Sequence, residues 1–218
     1  MESAMANYGV IDLGSNSVRL VIFDVKDGIS KKKPITCKDF RSIINDKVMA
    51  GLSAYVDAGE FTPEGIARAV DVLSGHLKRA RYFNCVRTDI FATAVLRNCT
   101  NSRKAIRAIE EAIGAPVNLL SARDEAHLSF AGASCDRTID KGTVVDLGGG
   151  STELIRVEEG RDFDDVSIGQ GSLSSYAGYV EFVMPQADEV EAIERAFLDH
   201  GARAQTQLLG GLEGEDDR

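Results

Sequence analysis

The chain has 218 residues, 44% of them hydrophobic and 27% charged, which is the composition of an ordinary globular protein with enough residues for a core. Its formal net charge of −9 argues against a general nucleic-acid-binding protein, because such proteins need a basic face. Short apolar runs, a start without a basic-then-apolar leader, and four cysteines without metal-ligand spacing predict a cytoplasmic protein with reduced thiols and no membrane contact.

The first part of the chain, residues 1–135, predicts an α/β lobe with the element order β-β-β-α-β-α-β-α. Residues 8–25 are rich in Val, Ile and Leu around a Gly-Ser turn, which predicts strand, turn, strand. The polar segment SKKKP at 30–34 predicts a turn, and a third extended run follows at 36–44.

A helix is predicted next, because Thr62 suits the N-cap position and Pro63 the first helical position. Apolar residues at helical spacing extend it over 63–81. Gly114 predicts the end of a second helix. The lobe then consists of alternating strands and helices, at 86–95, 102–113, 116–121 and 121–133.

The pattern restarts in residues 136–200, which predict the beginning of a second lobe. Residues 143–160 predict strand, glycine loop, strand; a third strand follows, and then helices near 173–183 and 187–199. The glycine-rich acidic stretch 201–218 predicts a poorly ordered tail. Because a second lobe like the first needs further strands, we expect an incomplete second lobe in a C-terminally shortened chain.

An internal repeat marks the start of each lobe. VIDLGSNSVRLVIF at 10–23 and VVDLGGGSTELI at 144–155 share the frame Asp-Leu-Gly-x-x-Ser when Asp12 is aligned with Asp146, a separation of 146 − 12 = 134 residues. Glycine N–H groups can converge on phosphate oxygens, and an aspartate at the end of a buried strand can hold a metal ion or water. One such copy fits a simple tight hairpin equally well. Two copies favour two phosphate loops facing one ligand.

The residues after each glycine loop distinguish the classes of phosphate-binding protein. P-loop and dinucleotide-binding folds need a helix directly after the glycines, but SVRLVIF and STELIRV predict strands, and no G-x-x-x-x-G-K-[ST] occurs. Two hairpin loops in duplicated α/β lobes instead favour the ribonuclease H-like fold of actin, hexokinase and heat-shock-chaperone ATPases.

Four motifs in order, VIDLGSNSVRL, FATAVLRNCTN, LLSARDEAHLSFAG and VVDLGGGSTELI, resemble the exopolyphosphatase/guanosine pentaphosphate phosphohydrolase (Ppx/GppA) family over roughly residues 8–200. The resemblance implies a Mg²⁺-dependent hydrolase that releases terminal phosphate from inorganic polyphosphate, from guanosine pentaphosphate, or from both. The binding partner it implies is polyphosphate or guanosine penta- or tetraphosphate.

The resemblance also implies roles for individual residues. The residues that would contact phosphate or substrate are Asp12, Gly14, Ser15, Asn16, Ser17, Arg19 and Arg97, and, in the second loop, Gly148, Gly149, Gly150, Ser151 and Thr152. Asp146 and Glu153 would organise the Mg²⁺ and the attacking water, and Glu125 would be the general base.

The residues alone leave other interpretations open. Acids such as Asp124 and Glu125 are favoured in the first turn of any helix, and Arg97 also fits a surface position. The chain departs from the family pattern at Ala122, where the family has glycine, and at Asp124, where it has glutamate. Two alternative functions are an ATP-dependent small-molecule kinase of the same fold and a non-catalytic phosphate- or nucleotide-binding module. An open second lobe also makes a homodimer plausible.

Overall fold

The computed structural model describes residues 5–26 and 36–212. The chain divides into two compact units, Met1–Ser121 and Ala122–Arg218. The boundary lies before the helix at Ala122–Ser134, which the sequence placed in the first lobe. That helix contacts three strands of the second unit, and this packing assigns it there.

The first unit contains, in chain order, β1 (Met5–Leu13), β2 (Ser17–Lys26), β3 (Phe40–Met49), a 3-10 helix (Leu52–Tyr55), β4 (Val56–Asp57), β5 (Glu60–Phe61), α1 (Pro63–Tyr82), β6 (Arg87–Ala92), α2 (Ala94–Arg97), α3 (Ser102–Ile113) and β7 (Asn118–Leu119). Five strands form one sheet in the order β3-β2-β1-β6-β7. β1 pairs antiparallel with β2 and parallel with β6, which in turn is parallel to β7. The carboxyl ends of β1, β6 and β7 therefore meet at one edge.

The core of the first unit lies between this sheet and the long helices. Ile11 and Leu13 of β1 are fully buried and pack in one cluster with Leu73 of α1 and Ile109 of α3. Asp12, between the two buried strand residues, is exposed. This alternation directs the aspartate away from the hydrophobic cluster.

The helix ends of the first unit follow the predicted capping residues. The Thr62 side chain accepts a hydrogen bond from Gly65 N at 3.2 Å, and α1 begins at Pro63. Gly114 ends α3 with φ of 67°, the left-handed conformation that glycine adopts without a Cβ clash. Both predicted boundaries are confirmed.

The second unit contains α4 (Ala122–Ser134), β8 (Gly142–Leu147), β9 (Thr152–Glu158), β10 (Arg161–Ile168), α5 (Ser172–Tyr179) and α6 (Ala187–Leu212). Its three strands form an antiparallel sheet in the order β10-β9-β8. Ala126 and Phe130 of α4 pack with Ile155 and Val157 of β9 in a small hydrophobic cluster, so α4 covers one face of the sheet.

Two predicted elements differ from the structure. The third extended segment begins at Phe40, not at residue 36, because Thr36 and Asp39 close a turn with a 2.9 Å main-chain bond. The helix predicted to end near 199 continues to Leu212, so the expectation of a poorly ordered tail from residue 201 is wrong as far as Leu212. α6 packs against β10, and this packing supports the helix past Gly201, where glycine lowers the helix propensity. The predicted turn at 30–34 and residues 213–218 lie outside the described residues.

Cys85 and Cys99 are free thiols, and burial raises the pKa of both. Within the described residues, no helix combines the length and apolarity needed to cross a membrane.

Candidate functional site

The two repeated sequences fold into hairpin turns of the same geometry. In the first, Gly14 N donates to Ser17 O at 3.1 Å; in the second, Gly148 N donates to Ser151 O at 2.9 Å. A Cβ added at Gly14 would lie 3.1 Å from the Ser17 carbonyl oxygen, and one at Gly148 would lie 3.0 Å from the Ser151 carbonyl oxygen. Each loop is followed directly by a strand, β2 or β9. The predicted repeat is thus structural, and its turns differ from the strand-to-helix loops of P-loop proteins.

The carbonyl groups of the first loop are bound by the segment that follows β3. Asn16 O accepts from Ala50 N at 2.9 Å and from Gly51 N at 2.8 Å. Ser15 O accepts from Ser53 N, in the 3-10 helix, at 2.9 Å. Two carbonyl oxygens that would repel an anion are thereby directed toward the protein's own N–H groups.

The second loop is held in the same way by the start of α5, the helix that follows β10. Ser172 N donates to Gly148 O at 2.9 Å, and Leu173 N and Ser174 N donate to Gly149 O at 2.9 and 3.0 Å. The duplication therefore extends beyond the repeated sequence: in each unit the segment after the third strand binds the carbonyls of the hairpin loop.

These contacts bind the loop carbonyls and do not use the N–H groups at the tip of either loop. Among the hydrogen bonds of the described residues, none uses the N–H of Ser15, Asn16, Gly149 or Gly150 as donor. With the neighbouring carbonyls already bound, these groups suit the oxygens of a phosphate. Each loop achieves this arrangement with contacts inside its own unit.

The residues that flank the loops differ between the units. Asp12 lies opposite Arg19 in the β1–β2 hairpin, and Asp146 lies opposite Glu153 in the β8–β9 hairpin. Since 153 − 19 = 134, Glu153 occupies in the second unit the place that Arg19 occupies in the first. The first hairpin thus carries an exposed cation at this place, and the second carries a buried acid.

α4 brings a third acid to the second hairpin. Ser129 Oγ donates to Asp146 Oδ2, which fixes α4 against the end of β8. Glu125 lies four residues before Ser129 and therefore on the same side of the helix. Sequence reasoning missed Ser129, although its helical spacing from Glu125 was a usable signal.

Glu153 is the most buried of the three acids, with 1% of its surface exposed. Ser167 Oγ donates to its Oε1 at 3.0 Å, and the Ser151 hydroxyl also hydrogen-bonds to it. Burial raises the pKa of the Glu153 carboxyl, and the charges of Glu125 and Asp146 raise it further, against these two hydrogen bonds. The structure thus brings Glu125 and Asp146 within electrostatic range of Glu153.

Arg97 belongs to the first unit and is the last residue of α2. Its Nη1 donates to Leu120 O at 3.3 Å. α2 follows β6, whose last residue, Ala92, lies opposite Leu13 at the end of β1. The arginine therefore comes from the same sheet edge as the first loop.

Two of the three acids of the second unit, Asp146 and Glu153, are arranged in a way that suits Mg²⁺ binding. Among the described residues, no group of three or more His, Cys, Asp or Glu is close enough to hold a metal alone. Mg²⁺ is commonly bound by only one or two carboxylates, with water and substrate phosphates completing the octahedron. Asp146 and Glu153, opposite each other beside the second loop, fit this mode.

The raised pKa of Glu153 leads to a prediction about stability. Between the ordinary glutamate pKa and the raised pKa, the folded protein holds a proton that the unfolded chain releases. This group's contribution to stability is therefore fully present below the ordinary pKa and is lost as pH rises through the raised value. Because glutamine does not ionise, Glu153→Gln is expected to raise Tm at neutral pH without metal, and the gain should disappear in acid. Thermal unfolding monitored by circular dichroism across pH measures this.

A matched control lies in the same strand. Glu158 is half-buried and pairs with Arg156, so Glu158→Gln should give no gain at neutral pH. A lower Tm for Glu153→Gln than for the unmodified chain at neutral pH would contradict the account of a destabilising buried charge.

Known proteins are similar to this chain in sequence. The family model described as the Ppx/GppA phosphatase family matches residues 10–211. Exopolyphosphatase 2 of Mycobacterium tuberculosis is 30% identical over 160 residues, which cover 70% of this chain and 48% of the relative. The chain thus spans about half the length of the curated relatives it matches.

Solved structures show the same fold at lower identity. A crystal structure of the Aquifex aeolicus Ppx/GppA family member matches with a TM-score of 0.68 and 22% identity, over 87% of this chain and 59% of the other. An exopolyphosphatase from Cytophaga hutchinsonii matches with a TM-score of 0.76 and 21% identity, over 96% and 64%. The predicted α/β fold of the ribonuclease H-like, actin-like ATPase type is confirmed.

Proposed function

This chain belongs to the Ppx/GppA phosphatase family, and from that premise we propose that it hydrolyses a terminal phosphoanhydride, releasing orthophosphate from inorganic polyphosphate. The observation that carries the proposal is in the second unit, where a glycine loop with available N–H groups lies beside three acids, Glu125, Asp146 and Glu153. A phosphate-binding loop alone fits many functions. The carboxylates add the groups that hydrolysis requires.

The chemistry needs little covalent participation by the protein. A phosphoanhydride is cleaved when its charge is neutralised, a water is placed in line, and that water loses a proton. In our proposal the N–H groups of Gly149 and Gly150 bind the terminal phosphate, and Glu125 accepts the proton of the attacking water. Ser129 supports this arrangement because its bond to Asp146 ties α4, and with it Glu125, to the hairpin.

Mg²⁺ belongs to the proposal, with Asp146 and Glu153 as the residues that would hold it. The bound ion would neutralise phosphate charge as a Lewis acid. Burial and the neighbouring acids favour the protonated form of Glu153, so a cation at this position would also favour its ionisation.

Guanosine penta- or tetraphosphate is a second substrate class within the same proposal. Polyphosphate and guanosine pentaphosphate present the same kind of terminal anhydride, and the loop contacts involve main-chain groups that read phosphate oxygens. A homodimer and a cytoplasmic location stay predictions.

A non-catalytic phosphate-binding module is the second candidate function. It is favoured by the fact that each loop is held by hydrogen bonds inside its own unit, so anion binding needs no further catalytic group. Such a module would bind polyphosphate and leave it intact.

Phosphate release from long-chain polyphosphate by the purified chain decides between the candidates. We expect release that requires Mg²⁺ and stops when the metal is chelated, because charge neutralisation is part of the proposed chemistry. Polyphosphate binding measured by calorimetry on the same preparation is the companion measurement. Binding without any release would refute the hydrolase and identify the binding module.

A further inference from the structure

A polar network lies behind the second glycine loop and has no part in the chemistry above. Gln170, between β10 and α5, has 3% of its surface exposed. Its Nε2 donates to Ser175 Oγ at 3.0 Å, and its Oε1 accepts from His200 Nδ1 at 3.1 Å. Thr152 Oγ1 donates to the Gln170 main-chain oxygen at 2.7 Å. One buried residue therefore joins β9, α5 and α6.

The network is linked to the loop through the main chain. Gly171, the next residue, packs so closely that an added Cβ would lie 2.6 Å from Gly148 O. The N–H groups of the following residues, Ser172 to Ser174, bind the carbonyls of Gly148 and Gly149. A shift of α5 would therefore move both loop carbonyls, and with them the direction of the loop's N–H groups.

The network is polar and its hydrogen bonds are directional, which indicates that it orients α5. A leucine at position 170 would fill a similar volume without the free-energy cost of burying an amide. Gln170 instead makes directional bonds toward Ser175 and His200, while Thr152 fixes its main chain. Satisfied networks of this kind rigidify the elements they join.

We propose that Gln170 is a positioning residue for the second phosphate loop. By tying α5 to β9 and α6, it keeps the first N–H groups of α5 on the carbonyls of Gly148 and Gly149, so that the loop's own N–H groups face the anion. The identity of that anion rests on the proposed function. The positioning of the loop rests only on contacts within the second unit.

Hydrogen-exchange mass spectrometry on the full chain with Gln170→Leu tests the positioning. We expect the N–H groups of Ser172 to Ser174 to exchange about tenfold faster than in the unmodified chain, because the side-chain bonds to Ser175 and His200 are gone while the Thr152 bond to the main chain stays. Exchange within β9 should be unchanged, which distinguishes local loosening from unfolding. Gln186→Leu, at an exposed position before α6, is the matched control and should leave the α5 segment unaffected.

Steady-state phosphate release gives a second measurement. A variant that is only destabilised would not show a raised KM with a nearly unchanged kcat. Gln170→Leu is expected to raise KM for polyphosphate by about tenfold with a smaller effect on kcat, since the acids stay in place. Gln170→Glu, which keeps the length and can accept from both Ser175 and His200, should recover part of the KM.

Unchanged exchange at Ser172 to Ser174 in Gln170→Leu overturns the proposal. If that variant unfolds the whole second unit, Ser175→Ala decides, because it removes one bond and little volume: faster exchange confined to the α5 start supports the proposal, and unchanged exchange overturns it. A chain that releases no phosphate under any condition would refute the proposed function and leave the exchange test intact.

Discussion

Glu125→Gln is expected to lower kcat for phosphate release from polyphosphate by about 10² to 10⁴, the usual contribution of a well-placed general base. Glutamine keeps the size and hydrogen-bonding capacity of the side chain but does not accept a proton at neutral pH. The loop N–H groups of Gly149 and Gly150 are untouched, so KM should change little. Steady-state release of orthophosphate at saturating polyphosphate and Mg²⁺ measures the effect.

Asp124→Asn is the matched control for this substitution. It removes a carboxylate from the adjacent position in the first turn of α4, so its general electrostatic effect on the helix is similar. We expect activity within a few-fold of the unmodified chain, because the neighbouring side chain points in another direction around the helix. Equal losses in both variants would show that the charge of the turn matters and that Glu125 is not the base.

Gly171→Ala is expected to distort the second loop and to destabilise the fold. The added Cβ would lie 2.6 Å from Gly148 O and 2.7 Å from Gly149 C, both of them main-chain atoms of the loop. Main-chain atoms in a hydrogen-bonded turn yield less readily than flexible side chains, so we expect a loss of about 1–3 kcal/mol in the free energy of unfolding. Polyphosphate binding should weaken with it, because the loop must shift. Denaturant unfolding and calorimetric titration measure the two effects.

Gly169→Ala is a control two residues away. A Cβ at Gly169 would meet no heavy atom within 4 Å, and its φ lies outside the range that strains an alanine. Its stability and binding should match those of the unmodified chain. Normal binding by Gly171→Ala would contradict the view that the α5 start sets the loop geometry.

Periodicity and capping residues predicted most of the secondary structure, because these signals are local. Thr62, Pro63 and Gly114 fixed helix ends through main-chain conformation and hydrogen bonds within a few residues. α6 was predicted too short, since a glycine at position 201 lowers helix propensity and the packing of α6 against β10 involves residues distant in the chain. β3 was predicted to begin too early, because its first residue, Phe40, is set by pairing with Val25 of β2 and not by a local signal.

The sequence alone determined the family, through four motifs in order. It also determined the duplicated loops and the strand that follows each loop, because the repeated Asp-Leu-Gly-x-x-Ser frame specifies a turn through neighbouring residues. Only the tertiary structure decided what surrounds the second loop. The bonds of Ser129 to Asp146, Ser167 to Glu153 and His200 to Gln170 join residues that are 14 to 30 positions apart in the chain. No spacing rule relates such residues, since their meeting depends on how α4, β10, α5 and α6 pack against one sheet. The burial that raises the Glu153 pKa arises from the same packing.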